Sequence, residues 1–335
     1  MKVLFIGGTG VLSSACSELA ISKGIDLYHL NRGLSAGIRN ITGMKTILSD
    51  IRNVEQSKKA IDEHFFDVVV DFIAYEPEHI LNDIELFTAK TTQFIFISTA
   101  SAYQTPEIVP VTEDMPLENP FWEYSRKKIA CEMVLKEAYQ KTGFPYTIVR
   151  PSHTYDKTKI PLIGGFTALS RMSMGLPVVV PGDGTSIWTL TYNKDFAVGL
   201  VGLLGNPSAI NEAFHITSDE WLCWNNIYRI FAAELNVTPH LVHIPSEIIV
   251  KYNKEIGDGL LGDKSHSMIF DNSKIRRFVP EFNPQMKLKE GAKEIVNWFK
   301  ENAMNIEVDK TINDFMEQSI DDFEIFTLKI DNSAL

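Results

Sequence analysis

Apolar residues in the first half of the chain come in short runs, separated by stretches whose apolar positions recur at helical spacing. "KVLFI", "DLYHL", "KTILS", "FDVVVDFIAY", "QFIFIST" and "YTIVRP" read as strands, short and rich in β-branched and aromatic residues. After the first run, Leu12, Ala15, Cys16 and Leu19 share one helical face, and Gly24 offers a stop. A longer helix is predicted from about Glu123 to Thr142, with Ile129, Met133, Leu135 and Ala138 among its apolar positions and Gly143 just beyond. This alternation predicts an α/β fold with a doubly wound parallel sheet over residues 1–150, to which some later segments return.

From Pro151 the texture changes, with closer prolines and glycines and shorter, scattered strands. Residues 151–305 are read as a smaller α/β substrate lobe. Within it "PVVVPGDG" predicts a strand and turn, "NKDFAVGLVGLLG" a helix capped by Asn193 or Asp195, and "WNNIYRIFAAELN" another helix. Residues 306–335 are acidic with a weak helical pattern, and a packed terminal helix and a loose tail both fit.

Composition narrows the function classes. The 335 residues are 44% hydrophobic and 22% charged, as in a soluble globular protein with a substantial core. A net charge of −11 repels phosphate polymers, so nucleic acid is not an expected partner. Cys16, Cys131 and Cys223 form no CxxC pair, which argues against a disulfide framework or zinc site and for a reducing, cytoplasmic setting. No run is apolar enough to span a bilayer, so neither secretion nor membrane anchoring is expected. His240 and His243 stand three apart on an extended segment and face opposite ways, so no metal is expected there.

The first strand opens into Gly7, Gly8, Thr9 and Gly10, a turn whose amides can face a pyrophosphate at the start of the next helix. Ser13 stands where such loops carry a third glycine, a position that serves helix–strand packing and tolerates a small residue. A ligand-free glycine turn is the plain alternative. At the end of the second strand, Asn31 and Arg32 replace the acid that would bond the ribose of NAD, and the guanidinium can pair with the 2′-phosphate of NADP. NADP is therefore favoured over NAD, although Arg32 reads equally well as a solvated loop arginine. Asp50 is placed to receive an adenine amino group or to cap a helix.

Tyr124 and Lys128, four apart, share one helical face. A lysine cation and an oxidised nicotinamide ring both favour the phenolate, and lowering the phenol from its usual value near 10 by about three units takes roughly 4 kcal/mol. Such a phenol can shuttle a proton while hydride moves. Just upstream, Ser98 and Thr99 end a buried strand, where either could bond the reacting oxygen or simply form a turn.

"GGTGVLSS", "SDIRN", "FISTASAYQ", "EYSRK", "VRPSHTY", "PGDGTSIW", "DNSKIRRFVPEF" and "EGAKEIVNWF", in that order, resemble the extended short-chain dehydrogenase/reductases of the NAD-dependent epimerase/dehydratase type. The resemblance implies a Rossmann domain with a small C-terminal lobe over the nicotinamide. It implies Tyr124 as acid/base, Lys128 holding the ribose, and Thr99 polarising the substrate oxygen, with Ser98 beside it. It extends the cofactor set to Val11, Leu12, Ile51, Phe72, Ile73, Ala74 and Pro151, and the substrate set to Tyr75, Ser101, His153 and Trp188. A homodimer through the helix carrying Tyr124 and the preceding "PEHILNDIELFTAK" is also implied.

The altered loop at Ser13 is similar to that of an atypical subgroup related to chloroplast stem-loop-binding proteins. Ala100 and Ser101 replace the Asp-Glu pair of dehydratases, which speaks against 4,6-dehydration. His153 replaces a substrate-binding asparagine, and Trp188 stands near where an arginine grips a diphosphate, a contact worth about 1.5 to 3 kcal/mol. His153 fits a structural histidine equally, and Trp188 fits core packing.

The leading expectation is an NAD(P)-dependent epimerase or oxidoreductase acting on a sugar or sugar-nucleotide-like substrate. The alternatives are an NADPH-dependent carbonyl reductase of a small molecule, and an RNA-binding or regulatory protein with a vestigial dinucleotide site.

Overall fold

The computed structural model describes residues 1–34, 39 and 41–333, with residues 305 and 327–333 described by backbone alone. The strands β1 (Lys2–Ile6), β2 (Asp26–Asn31), β3 (Lys45–Leu48), β4 (Phe66–Asp71), β5 (Thr91–Ile97) and β6 (Tyr146–Pro151) follow the predicted apolar runs. The later strands are β7 (His153–Tyr155), β8 (Val178–Pro181), β9 (Ile187–Tyr192), β10 (Glu212–Ile216), β11 (Trp221–Cys223) and β12 (Leu241–Ile244). Seven of them make one parallel Rossmann-type sheet in the order β3-β2-β1-β4-β5-β6-β10. The order reverses between β1 and β4, which opens a crevice at the carboxyl ends of the strands.

Alternation along the strands feeds two apolar layers. Val3 and Phe5 of β1 face one side with Ile95 and Ile97 of β5, while Leu4 and Ile6 face the other with Phe94 and Phe96. The first side is covered by α1 (Val11–Ser22), the second by α2 (Val54–Ala60), α3 (Pro77–Phe87) and α4 (Glu123–Thr142). The predicted span of α4 is met at both ends, with Gly143 as its C-cap.

A third core binds the C-terminal half, in which β7, β9 and β11 form one small sheet and β8 pairs with β12. Around them pack α5 (Gly165–Ser173), α7 (Trp224–Leu235), α8 (Ser246–Tyr252) and α11 (Leu288–Glu301). Trp224, Tyr228 and Phe231 of α7 are fully buried at i, i+4 and i+7. By contrast α6 (Asn193–Leu203) and α10 (Ser273–Phe278) join the first layer on the large sheet, as does β10 within it. A short α9 (Lys254–Gly259) leads into a π-helical turn at Leu260–Lys264.

Two capping expectations are corrected. Tyr192 is the N-cap of α6; the Asn193 side chain instead donates to the Val11 carbonyl at 3.0 Å, and Asp195 accepts the Met286 amide at 2.9 Å. The cap of α2 is Asn53, which accepts the Gln56 amide at 3.1 Å, whereas Asp50 accepts the Arg52 amide. Of the two readings of the acidic end, the helix holds: α12 (Lys310–Ser333) buries Phe315, Met316 and Ile320 in the third core. Arg171 secures it by donating to Asn313 at 2.6 Å and Glu317 at 3.2 Å. No helix among the described residues is long and apolar enough to cross a membrane.

Candidate functional site

The carboxyl ends of the central strands open into a cleft of about 470 Å³, floored by the glycine turn and walled by α4 and the C-terminal half. Gly7 has φ of +81°, and a Cβ there would clash with Ile73 Cγ2, so the turn calls for glycine. Gly7, Gly10, Val11 and Leu12 line the cleft. The Val11 and Leu12 amides belong to the first turn of α1 and so have no intrahelical acceptor. Ser13 does more than tolerate its place: its hydroxyl donates to the Gly7 carbonyl and accepts the Gly10 amide, both at 2.8 Å. This Cβ-free cradle beside free helix amides fits a dinucleotide pyrophosphate at Val11 and Leu12. Gly8 is buried against the His29 ring, whose atoms a Cβ would meet at 2.5 Å, so packing also requires a glycine here.

Across the cleft α4 presents Tyr124 and Lys128. Lys128 is buried, and its ammonium donates to the carbonyls of Ala74 at 2.6 Å and Ile97 at 2.7 Å. Burial lowers its pKa to about 8. Tyr124 is 37% exposed, its ring centroid 5.8 Å from the Lys128 nitrogen. Burial, helped by the Asp263 charge, pushes its hydroxyl up to about 12. Burial and the Asp263 charge thus oppose the tuning of Tyr124 expected of Lys128, two of whose ammonium protons are donated to backbone carbonyls.

The strand-end hydroxyls divide into two groups. Ser98 donates to Glu132 at 2.6 Å, and Glu132 forms a buried bidentate pair with Arg150 at 2.9 and 2.6 Å. That bond commits the Ser98 proton to a buried network. Thr99 accepts the Ser101 amide at 3.2 Å, and a hydroxyl chain runs from Thr99 to Ser101 at 2.9 Å and on to Ser125 at 2.7 Å.

His153 and Trp188 close the far wall with ring centroids 4.3 Å apart, and Trp188 stacks on Trp224 at 4.4 Å. Trp188 is thus core packing with an edge in the cleft. His153 Nε2 is buried without a partner among the described residues, and burial with the Lys264 and Lys159 charges holds the ring neutral. Sequence reasoning missed Trp122, Lys159, Asp263 and Lys264, all lining the cleft. Lys264 lies 4.7 Å from the Trp122 ring and 5.6 Å from that of Trp188. These residues come from loops and short turns with no periodic signal; only the aromatic "PFWEY" hinted at Trp122.

Phe72, Ile73, Ser98, Thr99, Ser101 and Pro151 also line the cleft, and Ala74 and Tyr75 border a neighbouring hollow with Tyr124 and Lys128. Ala74 is buried, so its carbonyl rather than its side chain serves the site. Thr9, Asn31, Arg32, Asp50 and Ile51 stand outside the main cleft's lining. Arg32 is exposed beyond β2, where Asn31 accepts the Gly33 amide at 2.9 Å, and Ile51 is buried.

The chain resembles the chloroplast stem-loop binding protein of 41 kDa b from Arabidopsis thaliana, 24% identical across 94% of this chain and 84% of that one. A UDP-glucose 4-epimerase from Lactobacillus helveticus is 29% identical over 45% of this chain and 51% of its own. Among solved structures, an epimerase from Methanothermobacter thermautotrophicus superposes with a TM-score of 0.75 at 19% identity, covering 91% of this chain and 93% of that one. The UDP-glucuronic acid 4-epimerase of Bacillus cereus, solved with UDP-glucuronic acid and NAD, gives 0.73 at 19% identity over 90% and 99%. The family model matches residues 3–217, and the chain belongs to the NAD dependent epimerase/dehydratase family.

Proposed function

We propose that the protein is an NAD(P)-dependent epimerase or oxidoreductase acting at a carbinol carbon of a sugar-like substrate. The observation that carries this reading is the convergence of Tyr124, Lys128 and Thr99 with the Gly7–Gly10 turn on one cleft. When bound, a nicotinamide supplies or accepts the hydride. Lys128, through the two carbonyls it grips, would orient the ribose side of the site, and Thr99 would hold the substrate oxygen. Tyr124, protonated in this environment, is the proton donor to a carbonyl oxygen as hydride reaches its carbon. Arg32 favours a 2′-phosphate and hence NADP. Lys159 and Lys264 favour an anionic substituent on the substrate, and the exposed Leu81 of α3 and Met133 of α4 support a homodimer.

The protonated Tyr124 also favours a second reading, an NADPH-dependent carbonyl reductase. Stoichiometric NADPH consumption would mark the reductase, redox-neutral turnover the epimerase. The test of both is mass spectrometry of nucleotide released from the denatured protein, followed by turnover of anionic sugars by the wild type and Tyr124→Phe. NADP or NAD should be released, and the variant should lose turnover by about 10² or more. Wild-type turnover by Tyr124→Phe would overturn the assignment.

A further inference from the structure

Two buried carboxyl groups lie behind Lys128, and the chemistry above does not use them. Asp71, at the end of β4, accepts the amides of Ile73 at 2.5 Å and Ala74 at 2.8 Å through Oδ1. Its Oδ2 is buried with no N–H or O–H partner among the described residues, and the same holds for both oxygens of Asp83 on α3. Both residues are fully buried, and the Asp83 carboxyl lies within hydrogen-bond reach of Asp71. Two ionised carboxylates within hydrogen-bond reach of each other repel strongly. A single proton removes the conflict by turning one acceptor into a donor.

The turn that Asp71 organises is gripped from all sides. Asp71 takes the Ile73 and Ala74 amides, Arg52 donates to the Ile73 carbonyl at 2.8 Å, and Lys128 donates to the Ala74 carbonyl. We propose that Asp71 and Asp83 share one proton, with Asp83 donating to Asp71 Oδ2, and that the pair is the positioning device for Lys128. The remaining negative charge acts on Lys128 and opposes the desolvation that favours its neutral form. Arg52, from the loop after β3, is the other cation acting on the pair; His79 of α3 and Cys131 of α4 also feel its field, with burial holding both neutral. The inference rests on the reading of Lys128 as the partner of Tyr124, but its test needs neither substrate nor dinucleotide.

Infrared difference spectra of the whole protein at pH 7, wild type minus Asp83→Asn, should show a protonated-carboxyl carbonyl stretch that shifts in D₂O. Its absence would overturn the shared proton. Competitive acetylation with acetic anhydride, read at Lys128 by mass spectrometry across pH, follows the ammonium itself. Its midpoint should fall by about one pH unit in Asp71→Asn, where the charge is gone. It should hold in Asp83→Asn, whose amide still donates to Asp71. An unmoved midpoint in Asp71→Asn would overturn the positioning role. Loss of the proposed enzyme function would show separately, as absent nucleotide or unaltered turnover in Tyr124→Phe.

Discussion

Ser13 donates its hydroxyl proton to the carbonyl of Gly7, tying the first turn of α1 back to the end of β1 over 2.8 Å. The same oxygen accepts the Gly10 amide, so one side chain holds the turn shut. Ser13→Ala deletes both bonds and leaves a buried carbonyl and an amide to find other partners. The urea midpoint should fall by an amount worth about 1 to 2 kcal/mol. An unchanged midpoint would show that the turn is held by its glycines alone.

Glu132 and Arg150 form an ion pair closed off from solvent, with Ser98 and Tyr103 completing the network. Removing one partner strands a charge in a medium that cannot solvate it, at about 3 to 5 kcal/mol. Glu132→Ala should therefore lower the melting temperature far more than Lys141→Ala, which breaks an exposed pair with Glu137. Equal shifts in a melting series would contradict the burial argument.

His29 sets an acid limit on the fold. Ser17 donates to the Ser13 carbonyl, so the His29 Nε2 donates to Ser17 and leaves Nδ1 bare and buried. Burial lowers the imidazole from 6.5 to about 4. The unfolded chain then binds the extra proton first, so stability is fully present above the unfolded value and declines as pH falls below 6.5. The contribution is about 2 kcal/mol by pH 5. His29→Gln should flatten the slope of unfolding free energy against pH between 7 and 5, and an unaltered slope would refute the neutral assignment.

Much of the large sheet was legible because its strands are buried on both faces and carry unbroken apolar runs. The α4 span was legible too, since apolar spacing and Gly143 agree. Tyr124, Lys128 and the glycine turn stood out through local spacing. Lys159, Asp263 and Lys264 did not, because only the folding of distant loops brings them to the cleft. Asp71 and Asp83 carry no local signal, one ending a strand and one lying on a helix, and only the fold brings them together. The packing demand on Gly8 was not legible because its neighbour, His29, lies on another strand. At Tyr124, spacing reports that a lysine is near but not which carbonyls take its protons.

The sheet's outermost strand beside β6 is β10, drawn from residues 212–216, part-way through the C-terminal half that roofs the cleft. During synthesis, β6 must wait with a bare edge while some sixty further residues leave the ribosome, a window open to mispairing. A fragment cut after Pro151 would keep that edge for good, and would lose α6 from the layer over α1. The two halves of this molecule are interleaved in assembly order, and a chimaera that exchanges the roof for another must carry a substitute for this strand.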